Sequence, residues 1–486
     1  MSTPDELDAI VVGAGPNGLA AAVTLVRAGL AVRLYEAADT IGGGARTADL
    51  TLPGFHHDVC SAVHPLAFES RFFREFQLTS RVDFVVPEAS FAHPLDGRPA
   101  AVAYRDLDRT ADGLGRDGRA YARLMRPLVR RASAVAEVTG GPLVRLPPHP
   151  ATAALLALRS LEQGTPAWNL RFRDAAAPAL VTGAAAHTIL SQPALAAAGA
   201  GLTLGAYAHA RGWPVPIGGS QAIVDALADD FRAHGGEIVT GVEVRSLVEL
   251  PPARAVLLDV VPTALLRIAG DALPPWYRTV LRGFRYGAGV AKVDFALSGP
   301  VPWRDPAVRE AGTVHVGGTR AEIAQAENLV KRGALAERPY VLVAQPSTFD
   351  ASRAPEGAQT LWTYTHVPAG SAADRAEAVT AQIERFAPGF RDLILATRSR
   401  NALEVADENA NYPLGDIAAG APSMPQLVSR PVPWPDPWHT PARGVYLCSS
   451  STSPGPGVHG LAGWNAALSA LRREFGIRAR PDLSTP

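Results

Sequence analysis

Near the amino end, Gly13-Ala14-Gly15-Pro16-Asn17-Gly18 sets glycine at the first, third and sixth positions of one turn. The turn follows an apolar run from Asp8 to Val12 and opens a segment of helical periodicity from about Gly18 to Ala28. A second apolar run, Ala31 to Tyr35, then closes on Glu36. In this setting each residue type has a task. Gly13 permits the tight turn, Gly15 lets backbone approach a diphosphate, and Gly18 allows close helix-to-strand packing. The helix start, with Ala14, Pro16 and Asn17 around it, offers unpaired N–H groups and the positive end of a dipole to phosphate oxygens. Glu36, eighteen residues beyond Gly18, stands where a carboxylate accepts hydrogen bonds from an adenosine ribose. A glycine turn with a surface glutamate would explain any one of these features but not all of them in register. The chemistry they point to is binding of the ADP half of a dinucleotide.

A second glycine turn follows the acid: Ile41-Gly42-Gly43-Gly44-Ala45-Arg46-Thr47. Glycines here bring backbone amides against a cofactor, and Arg46 adds a fixed fork for phosphate or ring oxygens. The stretch resembles the GG-x-x-R-T sequence of FAD enzymes in the glutathione reductase, amine oxidase and carotenoid desaturase superfamily. That resemblance implies FAD rather than NAD, with Gly43, Gly44, Arg46 and Thr47 among its contacts. Beyond the turn, His57, Asp58 and His64 are groups that burial could tune into proton acceptors, although a satisfied, hydrogen-bonded histidine explains each as well.

The likeness runs nearly end to end. Gly13 to Arg46, Pro53 to Ser61, His64-Pro65, Gly212 to Leu227, Lys292 to Trp303 and Arg443 to Ala467 resemble the bacterial phytoene dehydrogenase-like family, to which animal proteins named for a pyridine nucleotide-disulfide oxidoreductase domain are related. The disulfide of that name does not carry over, because Cys60 and Cys448 are the only cysteines and lie far apart. The resemblance implies that Val445 to Gly460 is a second flavin-contacting motif, with Ser449, Gly457, Val458 and His459 at the cofactor and a helix start facing the pyrimidine edge of the ring. Ser449 and Ser453 depart from the family's usual glycine and histidine. The backbone at Val242 is implied as an adenine-side contact. Tyr286 to Phe295 resembles the strand by which flavin amine oxidases present a lysine to flavin N5 through a water, which singles out Lys292. Lys292 and Lys331 are the only lysines in a chain otherwise basic through arginine. No aromatic residue stands beside Val458 and His459, where an amine oxidase would place one of its paired rings.

These groups need a scaffold. A chain of 486 residues exceeds one growing core. The expected fold class is α/β: a Rossmann-type, glutathione reductase-like FAD-binding domain with an inserted α+β substrate domain. The FAD domain is read as discontinuous, 1–75, 212–285 and 431–486, and the substrate or cap domain as 76–211 and 286–430. Residues 66–210 read as a mostly helical cap. Residues 212–247 read as a glycine turn, a helix and a strand that continues through Val242-Glu243-Val244. The hairpin that relatives place after that strand is shortened at Leu250-Pro251-Pro252, so no NAD(P) subdomain is expected.

Lys plus Arg and Asp plus Glu balance at 46 each, which removes any global charge reason for nucleic-acid binding. The two cysteines give neither a disulfide scaffold nor a metal site. Acidic residues at the start of the chain, where a secretion signal carries basic ones, and the lack of a long apolar run point to a cytoplasmic protein. The helical cap could still touch a membrane surface, and a homodimer stays open. The function expected is hydride abstraction by FAD from a C–H bond of a small, largely apolar substrate, giving a C=C bond, with oxygen or a quinone as electron acceptor. Lys292, His57 and Asp58 are the candidate catalytic groups. An amine or amino-acid oxidase using Lys292, and a flavin-binding protein without turnover, are the alternatives. Changing Glu36 to Ala is expected to weaken FAD binding by about 1–3 kcal/mol, the scale of a hydrogen bond to a charged group, read as a raised Kd in a flavin-fluorescence titration.

Overall fold

The structure, a computed structural model, describes residues 7–484, so the acidic start of the chain lies outside it. Five short strands make a parallel sheet in the order Val445–Leu447, Ala255–Leu258, Ala9–Val12, Val32–Tyr35, Glu237–Val239. Parallel pairing requires crossovers, and the helix Pro16–Arg27 supplies the first of them. Ala9 to Val12 are all buried, because helices cover both faces of the sheet. On one side Pro16–Arg27, Gln221–Ala233 and Leu461–Glu474 share a core with Leu34, Leu257 and Tyr446. On the other, Leu265 and Ile268 of Pro262–Ala269 and Tyr277 and Leu281 of Pro275–Arg282 pack on Ile10 and Leu258.

The second sheet has seven strands in the order Ile394–Arg400, Gly289–Leu297, Gln359–Val367, Val341–Ala344, Ala311–Val316, Ala89–His93, Ala101–Tyr104. It is antiparallel except where Ala311–Val316 runs parallel to Ala89–His93. A helical layer covers part of it. Its inner helices, Ala176–Ala186 and Leu195–Ala210, are built largely from alanine, glycine and leucine and are apolar all round, as buried helices are. Small residues set their spacing: a side chain at Gly201 would strike the backbone of Ala185.

Two expectations need correction. The region read as a mostly helical cap also contributes the hairpin Ala89–His93 and Ala101–Tyr104 to the second sheet. Its strands are short and buried nearly throughout, so no alternation marks them in sequence. The strand expected through Val242-Glu243-Val244 stops at Val239. Gly241 takes a left-handed φ of 71°, its N–H donates to the Ala38 carbonyl, and the Val242 N–H donates to the Glu36 carbonyl at 2.9 Å. The chain then passes through a single 3-10 turn, Leu247–Glu249, to the strand at Ala255.

One crossing controls how the dinucleotide loop is held. Gly463, on the last helix, lies against the Asn17 carbonyl and the Ala21 N–H of the first, where an added Cβ would overlap backbone. Gly463→Ala is expected to lower stability by about 1–3 kcal/mol through overpacking, measured as a lower urea midpoint.

Candidate functional site

A single cavity of about 1360 Å³ links the two sheets. Its walls include Gly13, Gly15, Pro16, Asn17 and Glu36 at one end, then Gly43, Gly44, Arg46, Ser449, Gly457, Val458 and His459. Val242 lies on the rim. The far compartment is apolar, between Leu156, Leu161, Leu195 and Leu204 of the helical layer and Leu342, Ala344, Trp362 and Tyr364 of the second sheet.

At the dinucleotide end, Glu36 is pre-oriented by backbone. Its Oε2 accepts from the Ala14 N–H at 2.7 Å and its Oε1 from the Ala38 N–H at 2.9 Å, which leaves lone pairs for a sugar hydroxyl. The two glycine turns are tied together by the Gly42 N–H donating to the Ala14 carbonyl at 2.9 Å. Asp259 follows the strand Ala255–Leu258, on the other side of Ala9–Val12, as Glu36 follows its own, and accepts from the Gly18 N–H at 2.9 Å. Burial pushes Asp259 up to about 7, and Glu36 adds to the rise. An uncharged acid there reduces the negative charge that would face a diphosphate.

The residues present fit FAD. The buried Asn17 Oδ1 has no partner and can accept from a hydroxyl. Arg46 spends only Nε on the Gly43 carbonyl, at 3.0 Å; among the described residues its terminal nitrogens have no protein partner. Ala14, Gly18 and Thr47 do not line the cavity. Gly18 packs against Gly13, and Thr47 donates to Asp58 Oδ1 at 2.8 Å and accepts from the Gln221 N–H.

Lys292 sits behind the second glycine turn. It lines a small space with Gly43, Gly44, Arg46, Cys60, Tyr364 and Tyr412, which also border the main cavity, while Lys292 itself does not. Strand pairing sets its neighbours, with Tyr364 and Arg400 directly opposite on either side and Asp294 two residues on along the same face. Its ammonium pairs with Asp294, and Arg400 Nη2 reaches the other carboxylate oxygen at 2.9 Å. Burial lowers Lys292 to about 8, against the pull of Asp294.

His57 and Asp58, expected as catalytic, line neither space. Asp58 is fully buried and binds the Arg353 guanidinium at 2.7 Å, the Thr47 hydroxyl and the Ser220 N–H at 2.8 Å. His57 Nε2 meets Thr51 Oγ1 at 2.8 Å, and its Nδ1 lies 3.8 Å from Asp294. Both support the turn from behind. Asp259, Tyr412 and His187 on the cavity wall were not read from sequence. Asp259 had a signal, since it closes an apolar strand in the manner of Glu36. Tyr412 had none: it lies in a loop and meets Gly44 only in the folded chain, where a Cβ on Gly44 would overlap its hydroxyl.

Against this geometry, residues 11–76 match the family described as NAD(P)-binding Rossmann-like domain. A rat protein named pyridine nucleotide-disulfide oxidoreductase domain-containing protein 2 is 26% identical, with 96% of this chain and 94% of its own covered. Among solved structures, wild-type putrescine oxidase bound to putrescine superposes with a TM-score of 0.62 at 18% identity over 96% of this chain and 99% of its own. Cyclohexylamine oxidase from Brevibacterium oxydans gives a TM-score of 0.59 at 16% identity over 96% and 98%. The resemblance read from the motifs and the α/β, Rossmann-type fold class are borne out. Among the described residues no helix is long and apolar enough to cross a membrane.

Burial lowers His57, His64, His93, His209 and His459 to about 4 and His187 to about 3. The unfolded chain takes up these protons near 6.5, the folded one only near 4, so stability present above pH 6.5 is lost as pH falls through 4. Denaturant midpoints from pH 7 to 4 are expected to fall throughout that window, and His93→Gln, which keeps a donor for the Gly318 carbonyl, to flatten the slope.

Proposed function

We propose that this chain is an FAD-dependent oxidoreductase that removes hydride from a C–H bond of a largely apolar substrate, forming a C=C bond. The observation that carries the reading is the continuity of one cavity, from a dinucleotide crevice, past a glycine–arginine turn, into an apolar compartment. The rat and mouse relatives, which carry an oxidoreductase name, support it, and so does the fold shared with amine oxidases.

In this reading Glu36 clasps the ribose, Gly13, Gly15 and the first helix start hold the diphosphate, and Arg46 with the Gly43-Gly44 amides holds the ribityl side. Ser449 and Gly457 to His459 complete the cradle, and Val242 touches the adenine side. When bound, FAD supplies two-electron acceptance from carbon and passes the electrons to oxygen or a quinone. The protein's part is positioning and water exclusion by apolar walls. Lys292 holds a buried positive charge behind the turn, anchored by Asp294 and Arg400, and favours negative charge developing in front of it. Asp58 and His57 act through the turn they brace, without touching substrate.

Purified protein is expected to be yellow and to release FAD on denaturation; a colourless protein that takes up no added FAD would sink the reading. Lys292→Met is expected to retain flavin but slow its reduction or reoxidation roughly tenfold to a hundredfold, less than the loss of a direct donor to developing charge. Unchanged rates in stopped-flow absorbance would remove Lys292 from the mechanism.

A further inference from the structure

Among the described residues, the polar groups without a partner on the wall of the apolar compartment include Trp362 Nε1, Thr313 Oγ1 and a histidine nitrogen. His187 caps the helix Ala176–Ala186 and lines the cavity next to Trp213, whose ring lies 5.4 Å away at a steep angle. Its imidazole is far from outer solvent, yet it keeps accessible surface because that surface faces the cavity.

Its tautomer follows from its neighbours. His187 Nε2 meets His315 Nε2 at 2.8 Å, so one must donate and the other accept. His315 is fully buried on the strand Ala311–Val316, and its Nδ1 has no partner. A proton on that Nδ1 would be a buried, unsatisfied donor, whereas an unprotonated Nδ1 only forgoes an acceptor contact. His93 Nδ1, an acceptor because its Nε2 donates to the Gly318 carbonyl at 2.6 Å, lies nearby but makes no hydrogen bond to His315. The proton of His315 therefore sits on Nε2 and is donated to His187 Nε2. That leaves the His187 proton on Nδ1, for which the described residues offer no partner. Burial keeps both rings neutral near pH 7, His315 well below its ordinary value and His187 at about 3.

We infer that His187 Nδ1–H is a neutral hydrogen-bond donor for a carbonyl oxygen of the substrate, held in its tautomer by His315. The substrate class is then an apolar ketone or aldehyde rather than a plain hydrocarbon. This rests on the compartment being the substrate site of the proposed oxidoreductase. A donor in a largely apolar pocket discriminates by oxygen, since a hydrocarbon leaves it unpaired.

The test uses holoenzyme and two probes of similar shape, 4-phenylbutan-2-one and butylbenzene, titrated by calorimetry. Wild type is expected to bind the ketone about tenfold more tightly, the scale of one buried neutral hydrogen bond, and to shift the bound ketone's C=O stretch to lower frequency. His187→Leu should abolish both the preference and the shift while keeping butylbenzene affinity. His187→Asn, whose amide nitrogen falls near the position of Nδ1, should restore part of each. Failure of wild type to bind either probe, equal affinity for the two, or an undiminished preference in His187→Leu overturns the assignment. None of these readouts depends on flavin chemistry, so they fail separately from the flavin content and reduction rates that test the proposed function.

Discussion

The structure is organised around the amino end of one helix. The first turn of Pro16–Arg27 has backbone donors with no partner inside the helix, and the parallel sheet brings two acids to that end from the two strands that flank Ala9–Val12. Asp259 takes the Gly18 N–H, and Glu36 takes the Ala14 N–H in the loop before it. Gly13, Gly18 and Gly463 keep neighbouring backbone close enough for the arrangement to exist, because any side chain at these positions would overlap it. A site for a negatively charged, hydroxyl-bearing ligand follows from that packing.

The rest of the cavity is set by how the second sheet meets this end. Lys292, Asp294, Trp362, Tyr364 and Arg400 come from three adjacent strands, and pairing fixes which of them face one another. A lysine with a buried carboxylate and a buried arginine beside it is costly to desolvate, and the triad holds together because each charge has a partner. The Asp58–Arg353 pair does the same beside it, behind the glycine–arginine turn. The turn is thus backed by two buried ion-pair groups, with His57 near both, which gives a cofactor a rigid edge against which to be oriented.

The helical layer closes the far side. Because its inner helices are made of small and apolar residues, they approach each other closely and present few polar groups. His187 is an exception on the cavity wall, and its environment of His315, Trp213 and the sheet suits a neutral donor better than a charge.

What the sequence determined alone was local: the strand–turn–helix–strand unit with Glu36 at its tip, the Gly-Gly-Arg turn, and the anomalous lysine. Each is legible because its physics is contained within a few dozen residues, in turn geometry, helix-end donors and strand periodicity. The tertiary structure alone decided that Asp58 and His57 brace the turn instead of facing the cavity, since burial and the partners Arg353 and Thr51 come from chain folding over them. It also decided that Ala89–His93 joins a sheet rather than a helical cap, and that Asp259, Tyr412 and His187 meet the same cavity as Glu36. Those contacts join residues hundreds of positions apart, and no period or spacing in the chain encodes which side chains a packed interior will bring face to face.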